Sequence, residues 1–341
     1  MTATTSPPAP QMSAGEIQQR MEWMAERLGA LRAELGKVVV GQTDVIEGVL
    51  LGLCAGGHVL LEGVPGLGKT LLVRTLASAV HLEFSRVQFT PDLMPTDILG
   101  AQVLIDDKQT GNRSFVFQKG PVFTNIMLAD EINRATPKTQ SALLEAMQER
   151  SVTVGRQTHT LSPPFFVLAT QNPLEMEGTY PLPEAQLDRF LFKLHVPFPT
   201  PAELHEIVTR TVQPDKAEVN AVLSGQDILD IGRFALGCPI AHHVVDYAVR
   251  LVSGSHGSLA PAKQYLRGGA SPRAVQALIL GSKLRALVHG RQNAAIDDIK
   301  ALAKPVLRHR ILLNFDAEAD GVRTDTVVEQ MLVEVDRATK A

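Results

Sequence analysis

Short runs rich in apolar residues alternate with stretches of three- and four-residue apolar spacing along the first two-thirds of this chain. The runs at His58–Glu62, Glu83–Phe89, Ile126–Ala129, Phe165–Thr170 and Phe192–Val196 read as buried strands. Between them, Thr43–Ala55, Leu71–Ala77 and Asn133–Gln148 carry helical spacing, with Thr43 or Asp44 as the N-cap of the first. Strands linked by helical crossovers pair in parallel, so the order predicts an α/β domain built on a five-stranded parallel sheet. Two segments interrupt it. Gly100–Leu104 and Arg113–Phe117 flank the polar turn Asp106–Asn112, and Ser151–Val154 and Gln157–Leu161 flank Gly155. Each pair reads as an inserted β-hairpin, and the first is too polar at its tip to be core.

After the proline-rich stretch Pro197–Pro201 the pattern is helical only: Pro201–Val212, Asp227–Leu236, Ile240–Ser253, Pro272–His289, Asp297–Arg308 and Thr324–Arg337. Thr200, Pro201 and Glu203 form a strong helix start. Ahead of the sheet, Ile17, Met21, Met24, Leu28, Leu31 and Leu35 recur on one face of a helix that Gly36 is expected to end. Its stripe must pack on the next domain or on another subunit. The expected division is a disordered tail at 1–13, an N-terminal helix at 14–36, a nucleotide-binding α/β domain at 37–198 and an all-helical lid domain at 199–341.

Composition narrows the class. Hydrophobic residues make up 45% of the 341 and charged residues 20%, enough to bury a sizeable core. A net charge of -3 and only 5% aromatics argue against a nucleic-acid binder. Cys54 and Cys238 lie far apart with no C-x-x-C spacing, and the adjacent His242 and His243 have no carboxylate at metal-site spacing. No apolar run reaches the length of a membrane span, and the start of the chain lacks a secretory pattern, so a cytoplasmic protein is expected.

The chemistry concentrates at Gly63-Val64-Pro65-Gly66-Leu67-Gly68-Lys69-Thr70, which fits the phosphate-loop pattern G-x-x-x-x-G-K-S/T between a strand and a helix. Gly63, Pro65, Gly66, Leu67, Gly68, Lys69, Thr70 and Leu71 are the expected nucleotide-binding set. Lys69 would reach the phosphates and Thr70 would hold Mg²⁺. Val40 and Gly41, in the run Val38–Gln42, would wall the nucleotide or simply pack strand on helix. Asp130 and Glu131 end a buried strand, where α/β sheets bind ligands. Asp130 suits the metal and Glu131 the activation of water. Asn172 would position that water or serve the turn Asn172-Pro173. Arg273 sits in the first turn of a helix, where the dipole disfavours a cation. Either an anion, a nucleotide phosphate being the obvious one, faces it there, or it is a solvated surface arginine.

These residues, together with Gly120–Phe123, Leu128–Ala135, Gln171–Pro173, Glu177–Phe190 and Val306–Arg310, resemble the MoxR family of AAA+ ATPases from about Val38 to Asn314. Met176 stands where the family pattern suggests glutamine. The resemblance implies an AAA+ P-loop core followed by a helical lid, with ATP and Mg²⁺ as ligands. Lys69 and Thr70 become the Walker A pair and Asp130 and Glu131 the Walker B pair. Asn172 becomes sensor 1, Arg273 sensor 2 and Arg189 an arginine finger given to the adjacent subunit, with Arg134 a weaker candidate in trans. It also implies a homo-oligomeric, hexameric ring whose hairpins face a pore, a von Willebrand factor A domain partner, and a client complex that is remodelled or matured. A motor on nucleic acid and a scaffold with little turnover are the competing readings, and the base, ATP or GTP, rests on the Val38–Gln42 wall.

Overall fold

The computed structural model describes residues 13–106, 113–173, 178–212 and 217–340. The expected tail up to residue 12, most of the first hairpin's polar turn and Met176 lie outside the described residues.

Helix α1 (Ala14–Val38) opens on a capping box. The Ser13 hydroxyl accepts the Glu16 N–H, and the Glu16 carboxylate takes the Ser13 N–H at 2.7 Å. The helix does not stop at Gly36. Arg210 donates to the Gly36 and Lys37 carbonyls at 2.7 and 2.9 Å, capping the last turn from another helix. The apolar run after it is therefore a short extended exit, not a strand. Gly41 and Gln42 turn through left-handed backbone into α2 (Thr43–Cys54), whose N-cap is Gln42 rather than Thr43 or Asp44.

The core continues as β1 (Val59–Glu62), α3 (Lys69–Ala79), β2 (Phe84–Gln88), the single turn α4 (Pro95–Leu99), the hairpin β3 (Gly100–Asp106) and β4 (Arg113–Lys119), and β5 (Ile126–Asp130). Then come α5 (Pro137–Glu149), the hairpin β6 (Ser151–Val154) and β7 (Gln157–Thr160), β8 (Phe166–Gln171), α6 (Glu184–Leu187) and β9 (Phe192–His195). The sheet order is β2-β5-β8-β1-β9, and every pair in it is parallel. Alternation sorts the strands' side chains. Val59, Leu61, Leu128 and Leu168 join the core under α1 to α3, while Leu60, Met127 and Val167 join the one under α5. The helix expected from Asn133 breaks into a 3₁₀ turn, Ile132–Arg134, before α5. Pro137 explains it, because its ring lacks an N–H and would clash one turn back. The two hairpins touch: the Phe117 and His159 rings stack with centroids 4.1 Å apart.

The remainder is α7 (Pro201–Thr211), α8 (Gly225–Gly237), α9 (His242–Gly254), α10 (Ala260–Tyr265), β10 (Leu266–Gly268), α11 (Pro272–Val288), α12 (Ile296–Leu307), β11 (Leu312–Leu313), α13 (Phe315–Ala319) and α14 (Thr324–Lys340). It is helical apart from the small antiparallel pair β10–β11. From Met21 to Leu35 the α1 stripe is buried within the same chain, in a helix that packs on α3 and α11, while Ile17 is exposed. Glu47 of α2 ties the seam: it pairs with Arg32 of α1 at 3.4 Å, with Arg285 of α11 at 2.9 Å and with His289, just past the end of α11, at 3.3 Å. Among the described residues no single helix is long and apolar enough to cross a membrane.

Candidate functional site

The carboxyl ends of β1, β5 and β8 converge. The loop after β1 needs glycine at Gly66 and Gly68, whose φ angles of 84° and 76° suit a residue without Cβ. Helix α3 starts at Lys69 with no side chain capping it, so its first N–H groups and dipole face the loop. Lys69 is 9% exposed and donates to the Gly63 carbonyl at 2.6 Å. Burial pulls its ammonium below the usual lysine value, against the pull of Asp130 and Glu131. Gln42 donates to the Leu67 carbonyl at 3.0 Å, which ties the Val40–Gln42 segment to the loop.

Across the cleft, Asp130 accepts the Thr170 hydroxyl at 2.6 Å on one oxygen. Its other oxygen takes Arg86 Nη2 at 2.8 Å and Nε at 3.2 Å. Glu131 has a left-handed backbone, φ 56° and ψ 50°, which costs a non-glycine residue about 1–3 kcal/mol. Its N–H donates to Thr170 Oγ1 at 2.8 Å, and its carboxylate accepts from Gln88 and Arg134, each at 2.8 Å. Asn172 follows β8, the strand between β5 and β1, and is 4% exposed. A cavity of about 380 Å³ lies between Pro65, Gly66, Gly68, Lys69, Thr70 and Leu71 on one side and Arg86, Gln88, Asp130 and Glu131 on the other.

Among the described residues no three His, Cys, Asp or Glu side chains form a metal cage. Mg²⁺ does not require one, since it binds through one or two carboxylates, waters and substrate phosphates. The Thr70 hydroxyl and the Asp130 carboxylate, facing one cavity beside a phosphate loop, fit that donor set.

Arg189 and Arg273 are not in this cavity. Val59 pairs with Phe192, so Arg189 lies off the amino end of β9, while the phosphate loop leaves the carboxyl end of β1. The strand between spans about 13 Å at roughly 3.3 Å per residue. Arg189 and Arg273 instead line a small cavity with His58 and Asp188. The anion that faces Arg273 is the Asp188 carboxylate, at 3.1 Å, and not a phosphate on the chain's own loop. Asp188 also accepts from Ser271 at 2.9 Å and from Arg310 Nε at 2.9 Å. Arg310 is buried, and its guanidinium reaches the Phe190 and Leu191 carbonyls as well, at 2.7 and 3.2 Å. Burial lowers its affinity for its proton, and Asp188 opposes that. The lid thus docks on the residue next to Arg189.

Arg86, Gln88, Thr170, Asp188 and Arg310 were not assigned roles from sequence. Arg86-Val87-Gln88 does carry a signal: a polar-apolar-polar alternation beside the apolar strand that ends in Asp130. Arg310 gave none.

Residues 58–192 match the family described as ATPases associated with various cellular activities, and residues 260–331 match the AAA lid domain. The chain is 46% identical over 304 residues to Chaperone MoxR1 of Mycobacterium tuberculosis, covering 88% of this chain and 79% of that one. It is 42% identical over 306 residues to the uncharacterized protein YeaC of Bacillus subtilis, covering 89% and 93%. It is 32% identical over 315 residues to MoxR of Paracoccus denitrificans, covering 86% and 90%. A crystal structure of a protein from Cytophaga hutchinsonii assigned as an ATPase superposes with a TM-score of 0.87 at 42% identity, covering 95% of this chain and 98% of that one.

Proposed function

The chain belongs to the MoxR family of AAA+ ATPases, and we propose that it hydrolyses ATP in a hexameric ring to remodel or mature a partner protein complex. One observation carries the reading: the phosphate cavity and the Arg189–Arg273 pair lie at opposite ends of one sheet. A subunit can use both only by offering its arginines to a neighbour's phosphates. An arginine supplied this way is worth about 10³–10⁵ in rate in other phosphate-loop enzymes.

Within a subunit, the loop N–H groups and Lys69 bind the phosphates. Thr70 and Asp130 hold Mg²⁺, which neutralises phosphate charge when bound. Asn172 orients water, and Glu131 accepts its proton once Gln88 and Arg134 release the carboxylate. The chaperone name of the Mycobacterium relative supports a remodelling role. A von Willebrand factor A domain protein is the proposed partner, a protein complex the client and the cytoplasm the location. Glu131→Gln is expected to bind ATP with near-parental affinity and to lose at least 100-fold in phosphate release. Parental turnover by that variant would remove Glu131 as the base.

A further inference from the structure

The polar face of β2 looks into the phosphate cavity. Alternation puts Arg86 and Gln88 on that face, while Val87 is buried on the other. Gln88 pairs in register with Asp130, which brings the Arg86 guanidinium onto the Asp130 carboxylate. Both of its contacts, Nη2 at 2.8 Å and Nε at 3.2 Å, fall on the same oxygen, Oδ2, and Nη2 also donates to Gln88 Oε1 at 2.9 Å. The other oxygen, Oδ1, is taken by the Thr170 hydroxyl.

The two partners are unequally held. The Asp130 side chain is 12% exposed and fixed by Thr170, whereas the Arg86 side chain is 47% exposed and opens into the cavity. A carboxylate this buried needs a counter-charge, and Arg86 is positioned to supply it. The same carboxylate is the one proposed above to hold Mg²⁺ together with Thr70. Two cations cannot share one carboxylate oxygen without strong repulsion. The exposed arginine is the partner free to leave.

We propose that Arg86 is the resident counter-cation of the metal position: it holds the Asp130 carboxylate while no metal is there and yields Oδ2 to Mg²⁺. This rests on the nucleotide site proposed above. It makes Arg86 a positioning residue with two opposite effects. Arg86 opposes metal entry, because the metal must displace it. It aids binding of nucleotide without metal, because it neutralises an acid that would repel the phosphates.

The test is equilibrium binding of a fluorescent ATP analogue to the full chain, followed by anisotropy, in EDTA and across a Mg²⁺ titration. Arg86→Gln is expected to lower the half-saturating Mg²⁺ concentration about tenfold and to weaken binding in EDTA about tenfold. Arg86→Lys keeps a cation and is expected to fall between Arg86→Gln and the parent on both measures. It also carries the test if the glutamine variant does not fold. General damage to the site would move both measures the same way. An unchanged or raised Mg²⁺ requirement in Arg86→Gln, or in Arg86→Lys should only that one fold, overturns the proposal. Lys69→Ala separates this from the parent reading: it should abolish binding with and without Mg²⁺. Parental binding by Lys69→Ala overturns the nucleotide site itself, and the Arg86 proposal with it.

Discussion

Replacing Asp188 by asparagine keeps the side chain's shape and removes its charge. In the parent, Arg310 is 2% exposed at its side chain and Asp188 17%, with Nε 2.9 Å from the carboxylate. Breaking a buried ion pair from one side costs about 3–5 kcal/mol, because the remaining charge is stranded. Arg310 keeps acceptors in the Phe190 and Leu191 carbonyls, which places the expected loss at the lower end, about 3 kcal/mol. That is a large share of a total stability of roughly 5–15 kcal/mol. Urea unfolding followed by circular dichroism reads it directly. With a slope of about 3 kcal/mol per molar, the midpoint should fall by about 1 M. The double variant Asp188→Asn/Arg310→Gln should recover part of that loss, since no charge is then stranded. Asp188→Asn within about 0.5 kcal/mol of the parent would refute the idea that Asp188 is the counter-charge fastening the lid beside Arg189.

Buried His58 accepts the Val167 N–H and donates to the Met147 carbonyl, and burial pushes its pKa down from 6.5 to about 4. The unfolded chain therefore binds a proton that the folded chain refuses between those values. His58 alone should cost nothing above pH 6.5 and about 3 kcal/mol of stability on descending to pH 4. Melting temperatures across that window test it, and a profile no flatter in His58→Gln would show that another group is responsible. At the seam, Glu47→Ala removes the acid shared by Arg32, Arg285 and His289. Arg285 keeps Asp298 at 2.7 Å, so the expected cost is about 1–2 kcal/mol, with faster proteolytic cleavage between core and lid. Unchanged melting and cleavage would mean that Glu47 does not hold the lid.

The parts of the site legible in the sequence are contiguous ones. The phosphate loop carries its own strand, glycines and helix start, and Asp130-Glu131 closes an apolar run too short for anything but a buried strand. What was illegible joins distant residues. Arg86 and Asp130 are 44 positions apart, and Asp188 and Arg310 are 122 apart; no spacing rule brings either pair together. Arg273 lies between these cases. Its place in a first turn signalled an anion, but a dipole argument cannot say which anion, and the answer here is Asp188. Gly36 failed as a stop signal because Arg210, far along the chain, caps the helix beyond it.

Arg189 and Arg273 stand at the far end of the sheet from the phosphate loop, and the proposed function makes each site the joint product of two subunits. Mixing two inactive variants is the most direct check. Arg189→Ala keeps its own phosphate cavity, and Glu131→Gln keeps its arginines, so in a mixed ring some interfaces would combine an intact Glu131 with an intact Arg189. Phosphate release from the mixture should rise well above the sum of the two variants measured alone. A mixture no more active than that sum, in rings shown to contain both chains, would mean that each subunit completes its own site.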